Sequence, residues 1–176
     1  KLVVNIAIDQ LRTDYIEAFI PYYSEGGIKK LLRNGAVYSN AQYMFSPVDR
    51  ASSIASISTG TSPSSNGITG FRWLNKNTLI PVNCVDDNSY EGIFTKEGAS
   101  PKNIITTTIN DELKIATEGD AIVYSIALER DAAVIGGGDA ADGALWFNKD
   151  NKCWCSSKYY FKKAPSWLES YNLLYA

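Results

Sequence analysis

The chain opens on a nearly continuous apolar run, "LVVNIAI" from Leu2 to Ile8, which stops at Asp9. A Val/Ile run without alternation suits a strand buried on both faces of a parallel sheet. The period then changes. "TDYIEAFIPYY" carries apolar residues at helical spacing until Pro21, and "GGIKKLLRNG" reads as a short helix opened by Gly26-Gly27 and stopped by Gly35. The following "AVYSNAQYMF", residues 36–45, alternates as a second strand.

From Ser46 to Gly70 the sequence is "SPVDRASSIASISTGTSPSSNGITG". Small residues recur at helical spacing from Ala51 to Ser58, Ile54 and Ile57 lie three apart, and "TGTSPSSNGITG" ends the pattern. This stretch predicts a strand end, a turn, a helix and a glycine-rich loop. Residues 71–100 are polar and loop-rich, an excursion from the core. "NIITTTINDELKIAT" predicts a short strand and then an amphipathic helix through Leu113 and Ile115, "AIVYSIAL" a buried strand, and "GALWFN" with "KCWCSSKYYF" a β-hairpin around "KDNK". "APSWLESYNLLYA" begins a further helix. Alternating strands and helices predict the α/β class: a central, mostly parallel sheet with flanking helices, plus a small β-hairpin excursion.

A chain of 176 residues fits one domain with its own core. With 17 Lys+Arg against 19 Asp+Glu, a net charge of -2 and a pI near 5.2, it lacks the basic footprint that nucleic-acid binding needs. No apolar run approaches the roughly 18 residues of a membrane span. The chain begins on a strand-like run without Met, as an exported, periplasmic protein does once its leader is removed.

The chain has no histidine. The commonest general base, the Ser/His/Asp triad and the usual zinc ligand are therefore unavailable from these residues alone. Cys84, Cys153 and Cys155 leave at least one thiol unpaired. Cys153 and Cys155 share a face if extended; a bridge between them would be strained, and they alone supply two of the four ligands of a tetrahedral ion. Ordinary core or surface cysteines are the expectation.

In a parallel α/β sheet, ligands bind beyond the carboxyl ends of the strands. Asp9 lies there after the first strand, either as a metal-binding carboxylate or as a turn or N-cap residue. Asp49, Ser52 and Ser53 stand at the start of the next predicted helix, where free N–H groups either receive an anion or are capped by Asp49 or Ser52. "GGGD", Gly136 to Asp139, lacks the Lys-Ser/Thr of a phosphate-binding P-loop and reads as a flexible connection.

"VVNIAIDQLRTDYI", "GGIKKLLRNG", "SIASISTGTSPSSNGITG", "TTTINDELKIAT", "YSIALERDAAVI" and "GALWFN", taken in order, resemble the N-terminal part of an alkaline phosphatase superfamily enzyme. The resemblance is to phosphate-irrepressible alkaline phosphatases, relatives of the type I phosphodiesterase/nucleotide pyrophosphatases. It implies residues 1–176 as the N-terminal portion of one alkaline phosphatase-like domain, two bound zinc ions, and a threonine nucleophile that forms a phosphoenzyme. Most zinc ligands of that family lie later in its chains.

Carried across by position, the resemblance puts the first metal-ligand carboxylate on Asp9. The nucleophile, ten residues before the glycine of "TG", falls on Arg50. The family's loop histidine falls on Asn66, its phosphate-contacting asparagine on Phe71, its Lys-x-Arg clamp on Glu129 and Asp131, and a later histidine on Asp139. An arginine forms no phosphoenzyme, and each lost oxyanion donor removes about 3 kcal/mol of transition-state stabilisation. The resemblance thus implies a catalytically degenerate protein with an incomplete zinc site or none, retained as a binding or structural envelope protein. The alternative is the N-terminal fragment of an active metal-dependent phosphomonoesterase or phosphodiesterase. Arg50, Glu129 and Asp131 are expected to form an internal ion-pair cluster, and Ser52 or Ser53 is the remaining candidate for a displaced nucleophile. Uncovered sheet edges in such a portion predict self-association.

Overall fold

A computed structural model describes residues 1–175 of the chain. It divides into two compact units, Lys1–Met44 and a second beginning at Phe45.

In the first unit, helix α1 (Thr13–Phe19) runs into a 3-10 turn, Ile20–Tyr22, which contains Pro21. The proline has no N–H to continue the helical ladder. Helix α2 (Ile28–Asn34) closes at Gly35, whose N–H still reaches the Leu31 carbonyl at 2.8 Å. Glu25 braces α2 from outside through Lys29 at 3.2 Å and Arg33 at 2.8 Å.

The strands expected at Leu2–Ile8 and over residues 36–45 do not form. An apolar run specifies what a segment can bury, but a strand also needs a neighbour for its backbone groups. No segment of this unit pairs with either run, and Leu2 and Val3 stand 89% and 80% exposed.

The second unit carries helices α3 (Arg50–Thr59) and α4 (Pro63–Asn66) and a two-stranded antiparallel sheet of β1 (Arg72–Leu74) and β2 (Pro81–Asn83). Further on come β3 (Gly92–Ile93), α5 (Ile109–Ala116), β4 (Tyr124–Ala127), α6 (Arg130–Gly137), β5 (Gly143–Asn148), β6 (Cys153–Ser157) and α7 (Ser166–Tyr175). The main sheet has the order β3-β6-β5-β4. Strands β4 and β5 are parallel and joined through α6, a βαβ unit, while β5 and β6 form the expected antiparallel hairpin. The fold is α/β with a mixed sheet.

Residues 103–107, read as a short strand, are a loop. Its apolar positions are used differently: Ile104 packs against the core, and the Ile105 N–H donates to the Asn66 carbonyl at 3.0 Å. The expected helix over "APSWLESYNLLYA" is α7; Ala176 lies outside the described residues.

The core forms where α3 packs on α6 and α6 packs on β4 and β5. Ala51, Ser52, Ala55 and Ser58 are the buried residues of α3, and small side chains allow close helix approach. From the other side come Ala133, Val134 and Ile135 of α6 and Trp146 of β5. At the outer strand β4, Tyr124 and Ile126 alternate outward into solvent.

The excursion between β2 and α5 is pinned by Asp87, which is buried. Burial raises the affinity of this carboxyl for a proton. The Ser100 hydroxyl, the Ser89 N–H and the Lys102 ammonium outweigh it and lower the pKa to about 2. A carboxylate depressed in the folded state stabilises it above the ordinary pKa of 3.8, and that contribution is lost as pH falls through about 2. Asp87→Asn should therefore destabilise the protein by about 2 kcal/mol at pH 7 and much less near pH 2. Urea titrations at the two pH values check this, and an equal loss at both would show that Asp87 contributes no charge-dependent stability.

Candidate functional site

The site starts at the N-terminus of α3. Asp49, the N-cap, accepts from the Ser52 N–H at 2.8 Å, and its own N–H donates to Ser52 Oγ at 3.0 Å. This reciprocal box satisfies orphan donors of the first turn. The second oxygen of Asp49 accepts from the Phe71 N–H at 2.6 Å, so one carboxylate joins the start of α3 to the glycine-rich loop that follows it. Burial pushes the Asp49 pKa up, yet the N–H groups of Ser52 and Phe71, the Ser52 hydroxyl and the nearby Arg50 bring it below the usual value.

Arg50, the first residue of α3, points its guanidinium at α6. Its Nε donates to Asp131 Oδ2 at 3.0 Å and its Nη2 to Oδ1 at 2.9 Å, a two-bond fork. The Asp131 side chain is 2% exposed and that of Arg50 28%. The Arg50 guanidinium carbon also sits 5.3 Å from the centre of the Phe71 ring, within cation–π range. A cation at a helix N-terminus opposes the helix dipole, whereas Asp131 in the first turn of α6 complements it. The pair places Asp131 where both helices are served.

Three of the residues singled out from the sequence, Arg50, Phe71 and Asp131, thus meet. Glu129 does not join them. It is the N-cap residue of α6, and its carboxylate pairs with Lys149 of the hairpin turn at 2.6 Å. The three-residue cluster expected of Arg50, Glu129 and Asp131 is therefore a pair, because two steps along the chain at the opening of α6 turn these carboxylates toward different neighbours.

The hydroxyls of both candidate serines are engaged locally. Ser52 Oγ donates to Asp49 Oδ1 at 2.8 Å and Ser53 Oγ to the Arg50 carbonyl at 2.9 Å. Asn66 is buried and structural: its Nδ2 donates to the Thr61 carbonyl at 3.1 Å, and its Oδ1 accepts from the Ile68 N–H at 2.9 Å. Asp139 accepts from the Tyr159 hydroxyl at 3.0 Å. Cys84, unremarked in the sequence as part of this region, feels Asp131 and Asp49. Burial first, and then these two charges, push its thiol up to about 12, so it is protonated and a poor nucleophile at neutral pH.

Asp9 belongs to the first unit, where it lies exposed in a turn. Among the described residues, no three His, Cys, Asp or Glu side chains gather as a metal-binding group. Among the described residues, the side chains alone do not make up the two-zinc site implied by the resemblance. Equally, no described helix is long and apolar enough to cross a membrane.

Comparison with known proteins agrees with this architecture. A model of the type I phosphodiesterase / nucleotide pyrophosphatase family matches residues 3–129. The alkaline phosphatase PhoV of Synechococcus elongatus is 37% identical over 175 residues, covering 98% of this chain and 32% of the relative. The alkaline phosphatase PafA of Elizabethkingia meningoseptica is 33% identical over 176 residues, with the same coverages. The crystal structure of wild-type PafA superposes with a TM-score of 0.90 at 32% identity, covering 94% of this chain and 33% of that one. Fold and sequence together define a protein of the alkaline phosphatase superfamily. Within it, the chain belongs to the type I phosphodiesterase / nucleotide pyrophosphatase family and corresponds to an N-terminal portion. It spans about a third of the length of the relatives it matches.

Proposed function

We propose that the chain is the N-terminal portion of an alkaline phosphatase-like domain whose phosphoryl-transfer seat is closed, and that it acts as a binding or structural protein of the envelope. The observation that carries this reading is the two-bond fork between Arg50 and Asp131. A protonated guanidinium has no lone pair free to attack phosphorus, and its donors are turned to an internal carboxylate instead of a phosphoryl oxygen. Asp131 stands at a position where the family resemblance puts a clamp cation, and its fork with Arg50 leaves an internally neutralised pair there in place of a free cation for a phosphoryl oxygen. The engaged hydroxyls of Ser52 and Ser53 and the protonated Cys84 leave no activated substitute here.

An exported, periplasmic location goes with the family resemblance. Self-association of this chain goes with the exposed β4 positions Tyr124 and Ile126 at the outer strand of the sheet.

A second reading is favoured by coverage: relatives named alkaline phosphatases are about three times as long as this chain, which fits one part of an active metal-dependent phosphomonoesterase or phosphodiesterase. The two separate in one assay. Full-length protein, supplied with Zn2+, should hydrolyse neither p-nitrophenyl phosphate nor bis-p-nitrophenyl phosphate above a metal-free control. Zinc-dependent turnover that survives Arg50→Ala but disappears in Ser52→Ala would sink the first reading in favour of the second.

A further inference from the structure

The geometry points to a separate metal seat on the main sheet: Cys153 Sγ, Cys155 Sγ and the main-chain carbonyl of Phe94 together present three donors to one thiophilic divalent cation, Zn2+ or its analogue Cd2+, with a fourth position open to water. Cys153 and Cys155 are two residues apart in β6, so their side chains share a face, and both are free thiols. Their sulfurs lie 3.7 Å apart. Phe94 follows β3, the strand on the other side of β6, and has a left-handed backbone with φ of 60°. Its carbonyl oxygen lies 3.2 Å from Cys155 Sγ and 3.7 Å from Cys153 Sγ.

Those three separations form the face of a tetrahedron. Bonds of about 2.3 Å to sulfur and about 2.1 Å to oxygen, at tetrahedral angles, put two sulfurs about 3.8 Å apart and sulfur about 3.6 Å from oxygen. The observed edges differ from these by at most about 0.4 Å, a change within rotamer adjustment.

Both S–H groups and the Asn151 side-chain amide, at 3.2 Å, lie within reach of the Phe94 carbonyl oxygen, and Cys155 Sγ also lies 3.7 Å from the Cys153 carbonyl. A cation bonded to both sulfurs would replace two of those three donors. The exchange balances as one M2+ bound and two thiol protons released. Cys153 is only partly buried, which leaves a way in.

The test uses the reduced, metal-free chain titrated with Cd2+. One equivalent is expected to bind with an ultraviolet thiolate-to-cadmium charge-transfer band. The band should vanish in Cys153→Ser and in Cys155→Ser and persist in Cys84→Ser. In the unaltered protein, so that folding of the variants is not at issue, one equivalent of Cd2+ should slow iodoacetamide alkylation of Cys153, mapped by mass spectrometry, roughly tenfold. Absence of the band, a band that survives both serine variants, or unchanged alkylation of Cys153 would each overturn the assignment.

Discussion

Asp131→Ala should cost the protein about 3–5 kcal/mol, because it leaves the Arg50 guanidinium partly buried with its two principal hydrogen bonds broken. Arg50→Ala is expected to cost a similar amount from the opposite side, since Asp131 is the more deeply buried partner and would keep a charge without its counter-ion. Removing both together has a different outcome. A paired charge gains from its partner roughly what it loses on leaving water, so Arg50→Ala combined with Asp131→Ala should cost much less than the two single losses added together. Urea denaturation of the four proteins checks this as a double-mutant cycle. Strictly additive losses would show that the two side chains do not act as a unit, and would remove the main support for a closed phosphoryl seat.

The next largest effect is expected at Gly98. A methyl group there would overlap the main-chain carbonyl oxygens of Tyr90 and Asp87. Both obstacles are main chain and cannot swing aside as a side chain would. The same turn holds a bond from the Asp87 N–H to the Gly98 carbonyl at 3.3 Å and a bridge between Asp86 and Ala99. Gly98→Ala must therefore displace the excursion that Asp87 and Ser100 pin, at a cost of about 3 kcal/mol. A lowered urea midpoint with the slope unchanged is the expected signature, together with new protease cleavage between residues 86 and 100. Native-like stability of Gly98→Ala would mean that this loop is not under the close packing described.

The helices were legible in the sequence where local chemistry defines them. Pro21 and Gly35 ended α1 and α2, and Asp49, a short acceptor ahead of small residues, capped α3. "NIITTTINDELKIAT" showed its helix but not the Thr108–Asp111 capping box that opens it. That signal was available in the spacing of a Thr and an acid three residues on. The strands at Leu2–Ile8 and residues 36–45 failed for a different reason. A helix closes its hydrogen bonds within its own segment, whereas a strand borrows them from another, and no sequence period names the lender.

The candidate site divides along the same line. The opposition of Arg50 to Glu129 and Asp131 followed from the positions the family resemblance gives them, together with their charges. Which carboxylate would answer it depended on the direction in which α6 presents Glu129 and Asp131, and on Lys149 arriving from the hairpin turn. Cys84 carried no sign of its place beside Asp49 and Asp131, because a lone buried thiol has no pattern.

Asp49 and Arg50 are neighbours with opposite freedoms. Asp49 is held to Ser52 and Phe71, joining the helix start to the loop that follows it. Arg50 sends its guanidinium to Asp131 on another helix and over the Phe71 ring, and donates no side-chain hydrogen bond to the cap. The same separation makes residue 50 a socket for protein engineering: a new reactive group can be installed there, with a matching residue at 131, without rebuilding the helix that presents it.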